Sequence, residues 1–189
     1  VNLNQQILGI KEKVLSSVET YWGFVPPSLK ETIRINAFTI WKIPMIAFLS
    51  PRVVELTEDK ITVRIPLNYR SKNHLGSMYF GSMAVGADLV VGTMAHRYIE
   101  KTGKDIEFIF KDFKSDYLKR AEADVFFTCE KGKEISDFVQ KAASSFERMN
   151  LPVEVYATVP SLLGNEPVAK FTLTLSLKNL ELPSSSKNL

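Results

Sequence analysis

The stretch that decides the fold is "NHLGSMYFGSMAVGADLVVGTMAH", residues 73–96. Between Leu75 and Ala95 its only charged side chain is Asp88. An ionised carboxylate in apolar surroundings costs on the order of several kcal/mol unless something pairs with it or uses it. A segment this long and apolar is long enough to span a bilayer. Its flanks, however, continue into amphipathic, strand-like sequence and no second span follows, so a helix inside a globular domain is expected and stable membrane insertion is not. At about 100° per residue, Ser77, Gly81, Ala84, Asp88, Gly92 and Ala95 fall in one arc, and all but Asp88 are small. The bulk (Met83, Leu89, Val90, Met94) lies on the other faces. The carboxylate therefore stands on a face where a ligand or another backbone can come close. Tight packing of the helix on a sheet accounts for the same small residues, and an Asp held only by hydrogen bonds is the plainer alternative.

Working outward, the sequence changes period on both sides of this helix. Before it, "ITVRIPL" places Ile61, Val63, Ile65 and Leu67 on one face, and "RVVEL" precedes it across Glu58-Asp59, which reads as a hairpin. After it come "DIEFIFKDFKSDYL" and "ADVFFTCE"; the alternation of the first breaks near Lys111-Asp112, which predicts a bulge. Residues 134–148 have helical spacing, with Ile135, Phe138, Val139, Ala142 and Phe146 on one side. Two closing strands follow. "VEVYATV" turns Val153, Val155, Ala157 and Val159 inward, and "FTLTLSL" does the same with Phe171, Leu173, Leu175 and Leu177. At the front, residues 3–20 read as an amphipathic helix. A second helix is expected to start at a Ser28–Glu31 capping box and to end near Pro44. The fold class is α+β.

Composition narrows the function. With 24 basic and 21 acidic residues the formal charge is only +3, and no dense basic run occurs, so nucleic acid is not an expected partner. Cys129 is the only cysteine, which rules out an internal disulfide and gives no sign of an oxidising compartment; a cytoplasmic location is expected. It alternates with Val125 and Phe127 and reads as core rather than nucleophile. The serine-hydrolase elbow, the dinucleotide fingerprint and the phosphate-binding loop are all missing. His74 and His96, the only histidines, have no third ligand at useful spacing, so neither a metal site nor a cofactor is expected. Lys111, Lys114, Lys119 and Arg120 form a candidate docking patch for phosphates, although a solvated strand end explains such residues as well.

The segment "NHLGSMYFGS" (Asn73, then Gly76-Ser77, then Gly81-Ser82 entering the helix) resembles the hotdog fold, in which a curved antiparallel sheet wraps a long central helix. It is most similar to the thioesterase-like branch related to the PaaI-type acyl-CoA thioesterases, over roughly residues 50–178. "VEVYATV" and "EPVAKFTLTLSL" suit its closing strands. The resemblance implies a homodimer that takes acyl-CoA or another acyl thioester at sites on the subunit interface. It implies Asp88 and Asn73 as catalytic residues, with Gly81 and Ser82 binding substrate through N–H groups at the helix start. The family pattern begins with His-Gly-Gly where this chain has Phe80-Gly81-Ser82, and counting from there puts the family's acid at Leu89, one residue past Asp88. One residue is about 100° of helix rotation.

Three readings follow: an acyl-thioester hydrolase; a non-catalytic hotdog protein that binds an acyl chain or acyl thioester in the apolar space beside the helix, lidded by the segment around Trp41 to Phe48; and a hotdog dehydratase or hydratase. The expected organisation is an N-terminal helical extension over residues 1–49, a hotdog domain over 50–180, and a disordered tail over 181–189.

Overall fold

In a computed structural model of the protein, residues 25–181 are described, apart from the side chains of residues 36–41. The helix expected over residues 3–20 and the tail beyond Glu181 lie outside the described residues.

Helix α1 spans Pro27–Lys42 and α2 spans Pro44–Phe48. Both begin on a proline, whose missing N–H would be an orphan there in any case. The Pro26 carbonyl accepts the Leu29 and Lys30 N–H groups at 3.0 Å each, so α1 starts one residue before the expected cap. Ser28 lies inside the helix, its carbonyl accepting the Thr32 hydroxyl at 2.8 Å, and Glu31 pairs with Arg34 at 3.6 Å rather than closing a capping box. Thr32 Oγ1 also accepts the Val53 N–H at 2.9 Å, which ties α1 to the first strand.

Strands β1 (Arg52–Leu56) and β2 (Ile61–Ile65) form the expected hairpin, with Leu56 opposite Ile61. Helix α3 then runs Phe80–Thr102, 23 residues or about 35 Å at 1.5 Å per residue. It stops at Gly103, whose φ of 65° is left-handed and whose N–H caps the Glu100 carbonyl. Strands β3 (Ile106–Tyr117) and β4 (Val125–Cys129), helix α4 (Gly132–Ala143), strand β5 (Met149–Thr158), the short α5 (Pro160–Leu163) and β6 (Pro167–Asn179) complete the chain. The six strands make one antiparallel sheet in the order β1-β2-β4-β5-β6-β3, and α3 packs against β2, β4, β5 and β6.

The core is where the alternation put it. Ile61, Val63, Ile65, Val155, Ala157, Leu173, Leu175 and Leu177 are buried against Ala87, Val90, Val91, Met94 and Ala95 of α3. Gly86 has a packing reason: a Cβ there would run into the Phe127 ring. The predicted bulge is present, as the β3–β6 register shifts between Phe110 and Phe113. Because of that shift Phe113 faces Leu173 and Ser115 faces Phe171, and the Phe113 and Tyr117 rings reach Phe171 at 5.7 and 6.0 Å.

Helix α4 is shorter than its periodicity suggested. It ends at Ala143, and Phe146 is exposed rather than on the buried side. By Met149 the chain has joined β5, where Met149 faces Leu177, and Arg148 is held by Glu107 and the Ser176 hydroxyl. Pairing with β6 overrides helical spacing there.

Cys129 is fully buried in β4, and burial pushes its thiol up to about 11. Native protein is expected to react with a thiol reagent at least ~100-fold more slowly than unfolded protein, since the thiolate is the reactive species. Modification at the unfolded rate would show that β4 opens readily.

Candidate functional site

Helix α3 sorts its residues by depth. Ala87, Val90, Val91 and Met94 are sealed in the core, whereas Gly81, Ala84, Asp88 and Gly92 are half-buried on the opposite side. Ala95, which ideal helical spacing puts with the small residues, is fully buried. The half-exposed face instead follows every fourth residue, through Ala84, Asp88, Gly92, His96 and Glu100.

Along this face lies a cavity of about 630 Å³. Asp88, Gly92, His96 and Glu100 of α3 line it together with Ile35 of α1, Ile46 of α2, and Phe108 and Phe110 of β3. The polar residues of its rim are engaged with one another or with backbone. Arg34 donates to Glu100 at 3.1 Å, His96 lies 3.5 Å from the same carboxylate, and Arg97 donates to the Thr57 carbonyl at 2.9 Å.

Asp88 differs from all of these. It accepts no hydrogen bond and pairs with no cation among the described residues. Burial alone raises its pKa to about 6. The plainer alternative, a carboxylate satisfied by hydrogen bonds, would have drawn the pKa down. A lone carboxylate with a pKa close to neutrality is the usual tuning of a general base. Leu89, where the family count puts the acid, lines the same cavity, so the one-residue offset leaves a carboxylate facing it.

The other site residues lie at the start of α3. No side chain caps that helix end and its first turn carries no acid, so the N–H groups of Gly81 and Ser82 belong to an uncapped, partly positive terminus. Ser82 is buried, and the Tyr79 ring occupies the space a Gly81 side chain would take. Asn73 closes the preceding loop: its Oδ1 accepts the Leu75 N–H at 2.9 Å and its Nδ2 donates to Ser77 Oγ at 3.1 Å. It lines a second cavity of about 570 Å³ with Ser77, Tyr79, Lys119 and Arg120.

Asp88 sits seven residues beyond Gly81, about 10 Å along the axis. Asp88 and Asn73 line different cavities. Of the four basic residues singled out in the sequence, Lys119 is paired with Glu166 at 2.6 Å and Lys114 lies 3.9 Å from Asp116.

Sequence reasoning anticipated Ile46, within the segment around Trp41 to Phe48 expected over the pocket, and missed Ile35, Phe108 and Phe110. Ile35 and Ile46 come from the extension and Phe108 and Phe110 from a later strand, so no local pattern joins them. His96 and Glu100 carried a signal, since they continue the four-residue spacing from Asp88 and Gly92.

An antiparallel sheet curved around one long helix is the hotdog fold. The chain belongs to the family described as Domain of unknown function (DUF4442), which matches residues 32–175. Solved structures with the same fold include a Pseudomonas aeruginosa protein of unknown function described as a probable thioesterase. That protein is 19% identical, with a TM-score of 0.64 over 82% of this chain and 98% of its own. A thioesterase from Haemophilus influenzae matches at 14% identity and a TM-score of 0.58, covering 79% of this chain and 92% of that one. A protein of unknown function from Chlorobaculum tepidum matches at 12% identity and a TM-score of 0.69, covering 80% and 96%. No curated protein sequence matches the chain. Among the described residues no helix is long and apolar enough to cross a membrane.

Proposed function

We propose that the protein hydrolyses an acyl thioester, acyl-CoA or a carrier-bound equivalent, in the cytoplasm and as a homodimer. The observation that carries this is Asp88: a carboxylate without a partner among the described residues, held near pKa 6 on the wall of a cavity whose other charged residues are engaged elsewhere. Thioesterases among the structures of the same fold support it.

In the proposed reaction Asp88 takes a proton from water, and the oxygen of that water attacks the thioester carbonyl carbon. The negative charge moves to the carbonyl oxygen, where N–H donors aimed at it lower the barrier. The uncapped start of α3, at Gly81 and Ser82, is the donor set this chain offers. When the tetrahedral intermediate collapses, the carbon–sulfur bond breaks and the thiolate takes the proton back from Asp88. The products are a carboxylic acid and a free thiol.

Because Asp88 lines one cavity while Asn73 and Phe80, the first residue of α3, line another, a complete site calls for the α3 start, with Asn73, from a second copy. Strand β3 supports such an assembly. It is a 12-residue edge strand, paired only with β6 among the described residues; an edge of this kind can pair with another chain, and a two-fold dimer is the commonest oligomer. Light scattering at micromolar concentration should give about twice the 21.3 kDa subunit mass; a single-subunit mass would remove the composite site. Hydrolysis itself is tested by release of free thiol from a panel of acyl-CoAs. No release above the uncatalysed rate from any of them would refute it.

A further inference from the structure

We infer that the cavity beneath α1 and α2 is the pocket for a medium-to-long acyl tail, and that Gly92 keeps the path into it open. The inference rests on the thioester reading for the identity of the head group, while the tail site stands on its own geometry.

The first observation is the chemistry of the walls. Ile35, Ile43 and Ile46 on one side and Leu89, Phe108 and Phe110 on the other present hydrocarbon to the space between them. The rim charges are engaged: Arg34 with Glu31 and Glu100, His96 with Glu100, and Arg97 with the Thr57 carbonyl. What remains is one carboxylate at one end of an apolar space. An anionic group seated between these walls would lie against the Asp88 carboxylate, while Arg34 is already shared between Glu31 and Glu100. A neutral apolar tail suits the walls, and an uncharged head group places no second negative charge against Asp88.

Size and shape agree. At roughly 30 Å³ for a water-sized group, 630 Å³ holds about 20 such groups, far more than an acetyl or butyryl unit needs. The lining of α3 runs from Asp88 to Glu100, which is about 18 Å at 1.5 Å per residue. The cavity is long, as an extended tail requires.

Gly92 is the second, independent observation. Glycine inside a helix costs about 1 kcal/mol relative to alanine. Gly86 has a reason for it, because the Phe127 ring takes the place of its side chain. Gly92 has no such neighbour. A Cβ there would meet nothing nearer than Asp88 Oδ1 and Phe108 Cε2, both at an unstrained 3.9 Å. Packing does not call for glycine at this position. A tail passing Asp88 does, since any larger side chain would project into the cavity one turn beyond the carboxylate.

The test uses thioether analogues, which bind without being hydrolysed. Calorimetric titration of the wild-type protein with S-ethyl-, S-hexyl- and S-dodecyl-CoA should show affinity rising by at least ~100-fold from hexyl to dodecyl, as burial of successive methylenes predicts. Gly92→Leu fills the cavity from the helix and Ile43→Trp fills it from the lid. Each should weaken S-dodecyl-CoA by ~10-fold or more and leave S-ethyl-CoA unchanged, with melting curves showing which variants fold. Gly92→Ala, which puts a single methyl into the cavity, should weaken S-dodecyl-CoA by a few-fold, less than Gly92→Leu, and dodecyl affinity equal to wild type would remove Gly92 from the inference. Equal affinity for the three analogues would overturn the inference, as would unaltered dodecyl binding in a folded filling variant. Thiol release from the matching acyl-CoAs separates this from the hydrolase reading. Graded binding without turnover leaves the tail pocket standing and removes the enzyme. Turnover without graded binding does the reverse.

Discussion

Asp88→Asn is expected to lower acyl-CoA turnover by about 100-fold or more and, above pH 6, to make the protein more stable. The amide keeps the shape of the side chain and removes the base. Stability follows from linkage. Burial raises the folded-state pKa of Asp88 from 3.8 to about 6. The folded state therefore holds its proton more tightly than the unfolded chain does. That advantage is complete below the unfolded pKa and is lost as pH rises through about 6. At pH 8 the wild-type protein carries a buried charge that costs roughly 2–3 kcal/mol, since each tenfold change in proton affinity is worth about 1.4 kcal/mol. Asparagine does not carry it. A domain of this size should then melt about 5–10 °C higher as the variant at pH 8, with the difference gone near pH 3.5. Tolerance to heat and loss of turnover in one substitution would mark Asp88 as a group held for chemistry at the expense of stability. Full turnover, or a lower melting point at pH 8, would end that claim.

Gly132→Ala carries the largest expected loss of stability. A Cβ at Gly132 would fall 2.6 Å from Asp59 Cα and closer still to the Glu58 carbonyl oxygen, and these are backbone atoms that no rotamer change can move. The turn they belong to is clamped from three directions: the Gly132 N–H donates to the Asp59 carbonyl at 2.9 Å, the Tyr98 hydroxyl to the Glu58 carbonyl, and Arg97 to the Thr57 carbonyl at 2.9 Å. Overpacking against such a site costs about 3 kcal/mol, which denaturant titration reads directly. A change below ~0.5 kcal/mol would mean that α4 can shift away from the β1–β2 turn.

The parts of this fold that were legible in the sequence are those governed by one dominant period. The inward sets of β5 and β6 and the core face of α3 are buried as alternation and helical spacing require. The bulge in β3 was visible because Lys111-Asp112 interrupts an otherwise regular pattern. Two local signals lost to competing physics. Phe146 continues the α4 spacing, yet the chain there is already turning into its pairing with β6. Ser28 and Glu31 have capping-box spacing, yet Pro27 starts the helix a residue earlier. Asp88 stood out because it is the one charge in an apolar run. Its cavity was legible in part, since the apolar run around Trp41 to Phe48 was expected to lie over it, but nothing within ten residues of Asp88 encodes the arrival of Phe110.

The bulge in β3 also sets where this strand can change length. Side chains alternate across a sheet, so a one-residue slip exchanges its two faces. Between Phe110 and Phe113 the strand holds two residues, while β6 holds only Thr174 between Leu175 and Leu173. One residue there is surplus to the pairing. Deleting Lys111 would leave plain alternation, with Phe113 still opposite Leu173 and Asp112 still beside Thr174, whose hydroxyl it accepts at 2.7 Å. Deleting Lys114 instead would set Phe113 and Tyr117 an odd number of residues apart, and regular alternation could keep only one ring on the side of Phe171. A single-codon loss is thus absorbed at position 111 and disruptive three residues later, so the bulge is the strand's one point of slack.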